Sequence, residues 1–247
     1  MKTLFIGDIH NHVGEIKNLV DNWDGNIVFV GDYFDDFDDN PTEARNTAIW
    51  LKESLTKPNR IHLMGNHDFH YYLPLDSGNY CSGYSRLKHE EIRDVLNKDD
   101  WDKIKFIHRI DNIWISHAGV DKSWFEHPIK GFNYELVEEV VNKCIDNANM
   151  GLFDKIGEIW AADFYRGGQH KKGGILWNDW RNLVLYENLV QIVGHTPLKK
   201  IGVKSFPPTN SYAYNVDCKC REFLILTEAK FPVIFNGKSL LSQYADS

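Results

Sequence analysis

Five short motifs in the chain each place an aspartate, an asparagine or a histidine directly after an apolar run. In chain order they are Gly7-Asp8-Ile9-His10, Gly31-Asp32-Tyr33-Phe34-Asp35, Gly65-Asn66-His67-Asp68, Ser116-His117-Ala118-Gly119 and Gly194-His195-Thr196-Pro197. One such motif alone is usually a turn or a helix cap, but a series of them predicts a shared site. Oxygen and imidazole donors without thiolate suit Mn, Fe, Zn or Ni ions. The donors outnumber the ligands that a single zinc ion takes, so the set predicts two metal ions.

Such a pair of cations has a defined chemistry. Two divalent ions bridged by a carboxylate clamp phosphoryl oxygens and deprotonate a bound water for in-line attack. No nucleophilic side chain is then needed. The cysteines offer no competing chemistry, because they form neither a zinc pattern nor a dense disulfide framework. We therefore interpret all four as reduced thiols: Cys81, Cys144, Cys218 and Cys220.

The first three motifs follow segments that are typical of strands. Apolar runs at 2–6, 27–30 and 60–64 each end at a glycine, and helical spacing follows at 13–22 and 41–54. This order indicates right-handed βαβ units with a partly parallel sheet. Because ligand sites of α/β sheets form outside the carboxyl ends of the strands, the motifs are expected to converge.

The second half of the chain is richer in strands. Helices are predicted at 90–97 and 133–147, a hairpin at 104–109 and 113–116, and short strands at 189–193, 212–216, 223–226 and 231–235. A basic, glycine-rich loop is predicted at 166–174. With no repeat and no low-complexity linker, the pattern predicts one domain over 1–247 whose second half adds a second sheet.

Composition narrows the class of protein. The chain has 247 residues, 43% of them hydrophobic and 13% aromatic, which is typical of a globular fold and excludes a disordered chain. Its net charge of −7 disfavours stable binding to nucleic acid or to anionic membranes. No apolar run is long enough to span a bilayer. Asp8 and His10 lie where a signal peptide would have its apolar segment, so no signal peptide is expected. These features predict a cytoplasmic protein.

Taken together, the motifs GDIH, GDYFD, GNHD, HAG and GHT resemble those of the calcineurin-like metallophosphoesterases. They look most similar to the phosphoprotein phosphatase (serine/threonine) branch, with its bacterial and phage relatives and the symmetrical diadenosine tetraphosphate hydrolases. The resemblance spans residues 7–196. It implies a four-layer α/β/β/α sandwich with two mixed sheets between helices and a dinuclear metal site at the sheet edge.

The resemblance also implies residue roles. It assigns six side chains to two divalent ions, for which Mn is the first expectation and Fe, Zn or Ni are alternatives: Asp8 and His10 on the first, Asp32 between both, and Asn66, His117 and His195 on the second. His67 is expected to protonate the leaving oxygen, and Asp35 to orient its imidazole.

One departure from the family pattern concerns substrate binding. In the resembled branch the second motif reads GDxVDRG, and its arginine grips the substrate phosphate, whereas Asp36 holds that position here. An acidic side chain cannot clamp phosphate, so either another cation replaces the arginine or Asp36 points away. Arg181 is the first candidate and Arg166 the second, because a guanidinium binds phosphate in a bidentate way. The loop at 166–174 is either a substrate lid or an ordinary solvated loop.

The leading functional hypothesis is a metal-dependent phosphoric ester hydrolase that acts on phosphoproteins or small phosphomonoesters. The alternative is a dinucleoside polyphosphate hydrolase or nucleotide phosphodiesterase. A binding module that has lost its activity is disfavoured, because every expected ligand and His67 are present. The remaining histidines, including His62 and His70, follow no ligand spacing and are interpreted as packing or surface side chains.

Overall fold

The computed structural model describes residues 1–75, 77, 80–121, 161–229 and 232–245, and single positions between 135 and 146. The helix predicted at 133–147 lies outside the continuous ranges. In the described residues, no helix is long and apolar enough to cross a membrane.

Two mixed sheets of five strands form the centre of the fold. The first has the order β10-β9-β1-β2-β3 and consists of β1 (Thr3–Ile6), β2 (Asn26–Phe29), β3 (Arg60–His62), β9 (Glu222–Leu226) and β10 (Pro232–Asn236). Strands β1, β2 and β3 are parallel, and β9 runs antiparallel to β1 and β10. This is the βαβ arrangement predicted for the first half, closed by two strands from the end of the chain.

The second sheet has the order β4-β5-β6-β8-β7. Its strands are β4 (Ile107–Ile110), β5 (Ile113–Ser116), β6 (Val190–Val193), β7 (Gly202–Phe206) and β8 (Ser211–Asn215). The central strands β5, β6 and β8 are parallel, whereas β4 and β7 pair antiparallel at the edges. The expected second sheet is therefore confirmed.

The helices flank these sheets and join their strands. They are α1 (Val13–Asn22), α2 (Pro41–Ser54), α3 (Asn66–Tyr72), α4 (Arg86–Val95), α5 (Lys98–Trp101) and α6 (Gly237–Ser242). The start of α2 is fixed by a capping box, because the Asn40 side chain accepts from the Glu43 amide and the Glu43 carboxylate accepts from the Asn40 amide. Pro41 at the first helical position reinforces this start.

Alternation along β1 shows how the layers pack. Leu4 and Ile6 join the cluster that includes the buried residues of α1, while Phe5 joins Ile115 and Ile192 of the second sheet in another cluster. Both faces of the first sheet are therefore buried, one under helices and one against the second sheet. Each such side chain contributes roughly 1.5–3 kcal/mol by leaving water. The two-sheet α/β architecture is confirmed; the helical layer expected outside the second sheet lies outside the described residues.

Some boundaries differ from the prediction. The helix α4 begins at Arg86 rather than at 90, because the Ser85 side chain caps it by accepting from the Lys88 amide. Strand β7 was not predicted, since it is a largely exposed edge strand without an apolar run. The short helix α3 was also missed, because its sequence holds polar motif residues rather than an apolar stripe.

Candidate active site

The carboxyl ends of strands from both sheets meet at one edge of the fold. Asp8 follows β1, Asp32 follows β2, Asn66 begins α3 after β3, His117 follows β5, and His195 follows β6. We call these five residues the floor; each is at most 7% exposed. Burial of a polar side chain costs free energy of desolvation, so buried polar side chains are normally paired or bind a ligand.

Four ligand atoms of the floor face one another. His117 Nε2 lies 2.9 Å from Asn66 Oδ1, 3.2 Å from His195 Nδ1 and 3.3 Å from Asp32 Oδ2. His195 Nδ1 lies 2.8 Å from Asn66 Oδ1. Two imidazoles, an amide oxygen and a carboxylate around one point are the donor set of a divalent transition metal ion. The residues present therefore fit such an ion.

A neighbouring group consists of Asp8, His10 and Asp32, whose ligand atoms all lie within 4.8 Å of one another. His10 Nε2 is 4.0 Å from both carboxylates, while His10 Nδ1 is 3.0 Å from the Phe34 carbonyl oxygen. A hydrogen bond from the second ring nitrogen orients a metal-binding histidine. Because Asp32 belongs to both groups, its carboxylate is in position to bridge two ions.

The backbone of the site adopts left-handed conformations at non-glycine residues. The φ angle is 46° at His10, 54° at Asp32, 65° at Asp35 and 68° at His195. This region is unfavourable for side-chain-bearing residues and persists where the surrounding structure enforces it, commonly at functional sites. The fold therefore holds these side chains in place at the expense of local backbone strain.

The electrostatics of the floor follow from burial and close charges. Burial opposes the charged form of His117, but Asp32 outweighs it and raises the pKa of His117 to about 9. Burial also favours the neutral form of Asp32, yet His117 and His67 bring the pKa of Asp32 well below its ordinary value. Asp32 therefore stays ionised beside His117, and a metal ion that binds His117 has to displace the proton from its ring.

Two acidic residues of the site were missed from the sequence. Asp68 Oδ2 accepts from the amides of Asp32 and Gly65, both at 2.8 Å, and therefore holds the loop that carries Asp32. Asp217 follows β8 and lines the cavity that opens above the floor. Burial together with the nearby Asp8 raises the pKa of Asp217 to about 8. The position of Asp217 after a strand was an available signal, whereas nothing in the sequence indicated the contacts of Asp68.

The pair of His67 and Asp35 lies beside the floor. His67 Nδ1 hydrogen-bonds Asp35 Oδ2 at 3.2 Å, and the His67 side chain is 17% exposed at the cavity. Burial opposes the charge of His67, but Asp32 and Asp35 raise its pKa well above the ordinary value. The imidazole is therefore kept in the form that can donate a proton.

Asp35 has further partners that sequence reasoning missed. Its Oδ1 accepts from Tyr71 Oη and from Lys88 Nζ, both at 2.6 Å, and His70 Nε2 lies 2.9 Å from its Oδ2. The interpretation of His70 as a mere packing residue is thus wrong. Lys88 also binds Asp39, whose Oδ1 accepts from Lys88 Nζ at 2.9 Å.

Above the floor and His67 opens a cavity of about 550 Å³. Its outer wall, which we call the rim, is formed by side chains from several loops: His12, Asp36, Phe37, Arg166 and Lys219. On the rim, His12 Nε2 lies 2.9 Å from the Asp36 carboxylate.

The two arginines that were candidates for phosphate binding differ in position. Arg166 lines the cavity, and its Nη2 donates to the His195 carbonyl at 3.1 Å. Arg181 is outside the residues that line the cavity; its guanidinium pairs with Asp179 and covers the ring of Tyr165 at 4.0 Å. The geometry favours Arg166 over Arg181, the reverse of the order expected from the sequence.

Comparisons with known proteins agree with this fold. A family model described as calcineurin-like phosphoesterase matches residues 1–235. A cold-active protein-tyrosine phosphatase from a Shewanella species is similar at a TM-score of 0.61 with 16% identity, covering 95% of this chain and 77% of that one. A metallophosphoesterase from Sphaerobacter thermophilus has a TM-score of 0.47 with 12% identity, covering 99% and 95% of the two chains.

A protein serine/threonine phosphatase from Saccharomyces cerevisiae has a TM-score of 0.47 with 13% identity, covering 96% of this chain and 79% of that one. No curated protein sequence matches the chain. The family match extends over nearly the whole chain and includes every floor residue and His67. The chain therefore belongs to the calcineurin-like phosphoesterase family and is a metal-dependent phosphoesterase.

Proposed function

We propose that the protein is a phosphomonoesterase that acts on serine- or threonine-phosphorylated proteins or on small phosphoesters. The observation that carries the proposal is the convergence of Asp32, Asn66, His117 and His195 around one point, next to the His67–Asp35 pair. This arrangement combines a cation site with a proton donor at the bottom of one cavity, which is what hydrolysis of a phosphoester requires.

Six side chains would hold the two divalent ions, of which Mn is the first expectation: Asp8 and His10 the one, Asn66, His117 and His195 the other, and Asp32 both. Bound ions of this kind polarise phosphoryl oxygens and lower the pKa of a water. Asp68 keeps Asp32 in its position, because the Asp68 carboxylate accepts hydrogen bonds from the amides of Asp32 and Tyr33.

His67 acts as the general acid for the leaving oxygen. Its Nδ1 is engaged by Asp35, which leaves Nε2 as the atom that delivers the proton. Lys88 and Tyr71 bind the other oxygen of Asp35. Burial favours the neutral form of Asp35, but hydrogen bonds from His67, His70 and Lys88 outweigh burial and lower the pKa of Asp35 below its ordinary value. A fixed carboxylate orients the imidazole and stabilises its charged form.

Arg166 replaces the phosphate-binding arginine that the second motif lacks. It lines the cavity with 22% of its side chain exposed, and Asp179 lies 3.1 Å from its Nε, which leaves part of the guanidinium for an incoming phosphate. Arg181 shares the same Asp179 and contributes indirectly at most.

A second candidate function rests on aromatic rings at the same cavity. Tyr165 and Trp177 line it, and stacked rings are a common way to hold a nucleobase. This feature favours hydrolysis of a dinucleoside polyphosphate or another nucleotide ester.

A side-by-side assay distinguishes the two functions. Protein stripped with chelator and reloaded with Mn²⁺ is given a phosphoserine peptide and diadenosine tetraphosphate, and the release of phosphate and of ADP is followed. Faster phosphate release from the peptide supports the proposal, whereas preferential formation of ADP supports the nucleotide function. Tyr165→Ala is the matched variant, since it is expected to weaken only the nucleotide reaction.

A further inference from the structure

A third group of metal-ligating atoms lies beside the floor and contains a thiol. Cys81 Sγ, His67 Nδ1 and Asp35 Oδ2 all fall within 4.8 Å of one another. Sγ lies 3.6 Å from Nδ1, and Nδ1 lies 3.2 Å from Oδ2. In a tetrahedral zinc site with bonds of about 2.0–2.3 Å, neighbouring ligand atoms are separated by about 3.3–3.7 Å. These two separations are close to those between the ligands of a zinc ion.

We propose that Asp35, His67 and Cys81 form a regulatory zinc site, distinct from the two-ion floor, whose occupation switches off the acid function of His67. Thiolate, imidazole and carboxylate together favour Zn²⁺ over Mn²⁺, because the soft sulfur ligand disfavours manganese. The floor holds no thiolate, so the two sites differ in metal preference. Three protein ligands leave the fourth position of the ion to water.

The surroundings of this triangle orient its ligands. His70 lies between two of them, with Nδ1 at 2.9 Å from Cys81 Sγ and Nε2 at 2.9 Å from Asp35 Oδ2. Lys88 binds the other oxygen of Asp35 and leaves Oδ2 for the ion. Such neighbours fix ligand orientation and commonly change metal affinity by about 10–100-fold.

The segment that carries Cys81 packs directly on Asp35. A Cβ at Gly83 would lie 2.8 Å from the Asp35 Cβ, so the close approach requires glycine there, where φ is also +88°. His67, Ser82 and Gly83 line the cavity, and Cys81 is partly exposed. An ion can therefore reach the triangle from the same cavity that admits the substrate.

Zinc binding would inhibit turnover because it displaces the proton that His67 needs as a general acid. Zn²⁺ takes the place of the thiol proton of Cys81 and of the proton on His67 Nδ1, and both protons leave to solvent. An imidazole bound through Nδ1 no longer exists as an imidazolium, so its Nε2–H is a far weaker acid. This effect on turnover rests on the proposed role of His67, whereas the binding of zinc does not.

The binding test is spectroscopic and independent of activity. The full chain is titrated with Co²⁺, a zinc substitute whose thiolate complexes show a sulfur-to-metal charge-transfer band. The band is expected in the wild type and in Cys220→Ser, a control at another partly buried cysteine of the same cavity, and is expected to be lost in Cys81→Ser and Cys81→Ala. No band in the wild type, or a band that persists in both Cys81 variants, overturns the proposal.

The activity test uses Zn²⁺ added to Mn²⁺-loaded protein, with each variant compared with its own zinc-free rate. Wild type and Cys220→Ser are expected to lose roughly 10²-fold or more with a poor leaving group, the lower bound for loss of general acid catalysis. Cys81→Ser is expected to resist the same zinc concentration. Equal inhibition of all three proteins would mean that zinc replaces manganese in the floor, and would overturn the regulatory role. Absence of any activity refutes the proposed function but leaves the cobalt result decisive for the site.

Discussion

The floor and the rim of the cavity differ in burial and in the way they are held. Asp32 and His117 of the floor are 2% and 0% exposed and are fixed by hydrogen bonds to distant backbone atoms, such as His117 Nδ1 to the Val30 carbonyl at 2.8 Å. On the rim, Phe37 is 97% exposed, and Asp36 is held by His12 and by the adjacent Phe37 amide. The rigid floor is suited to invariant chemistry, whereas the exposed rim can set substrate preference without disturbing it.

The largest effect is expected from a substitution in the floor, at Asp32. Asp32→Ala is expected to abolish both metal binding and turnover, because Asp32 belongs to both groups of ligand atoms and its loss leaves the buried His117 without its nearest carboxylate. Metal content and hydrolysis of a small phosphomonoester are measured on the purified variant. Asp24→Ala, at an exposed aspartate, is the control and is expected to keep both. Full metal content in Asp32→Ala would exclude a bridging role.

A large but more selective effect is expected at His67. His67→Ala should retain both ions yet lose roughly 10²–10⁴-fold in kcat for a poor leaving group, since it removes the proton donor. The loss should be much smaller with a nitrophenolate leaving group, which needs no protonation. Rates are measured for an alkyl and an aryl phosphate, with His170→Ala as an exposed control. An equal loss for both esters would argue against a general acid role.

The rim is tested by comparing the two arginines that share Asp179. Arg166→Ala is expected to raise KM for phosphomonoesters about tenfold, equivalent to about 1.4 kcal/mol of binding, because its guanidinium borders the cavity. Arg181→Ala is expected to leave KM within twofold or so of the wild type. Steady-state kinetics on both variants suffice. A larger effect at Arg181 than at Arg166 would restore the order expected from the sequence.

The smallest expected effect concerns stability and one buried histidine, His62. Burial and the nearby Arg60 lower the pKa of His62 to about 3, and its ring nitrogens lie 2.9 Å from Tyr33 Oη and 3.0 Å from Ser54 Oγ. The pKa of His62 is therefore lower in the folded state than the value of about 6.5 in the unfolded state. The contribution of His62 to the free energy of unfolding is then complete above pH 6.5 and is lost as the pH falls toward 3.

The loss approaches about 1.4 kcal/mol per pH unit within that window. His62→Gln is expected to have a shallower decline of unfolding free energy between pH 6 and about pH 4, and unchanged turnover at neutral pH. Urea unfolding at several pH values measures the slopes. Identical slopes in the wild type and in the variant would show that His62 is not held neutral in the fold.

The sequence predicted the architecture where local pattern and tertiary structure agree. The βαβ unit of β1, α1 and β2 follows from buried apolar runs and helical spacing, and helix α2 was predicted at 41–54, where the structure has it. The exposed edge strand β7 and the polar helix α3 were missed, because their residues carry no hydrophobic period.

The same distinction applies to the site. Residues that follow strands directly, such as Asp8 and Asn66, were identifiable, because parallel strands bring their ends together. Lys88 and His70 were not, since they reach Asp35 from α4 and from the end of α3 through contacts that no short pattern encodes. The positions of Arg166 and Arg181 depend on one shared partner, Asp179, which spacing alone does not reveal.

The central claim is that Asp32 joins two metal sites into one centre. Electron paramagnetic resonance of the chain loaded with Mn²⁺ tests it directly, since two bridged Mn²⁺ ions give an exchange-coupled spectrum and separate ions do not. The account predicts a coupled spectrum at two ions per chain for the wild type and its loss in Asp32→Ala. Only uncoupled Mn²⁺ in the wild type at saturating metal would contradict the shared site.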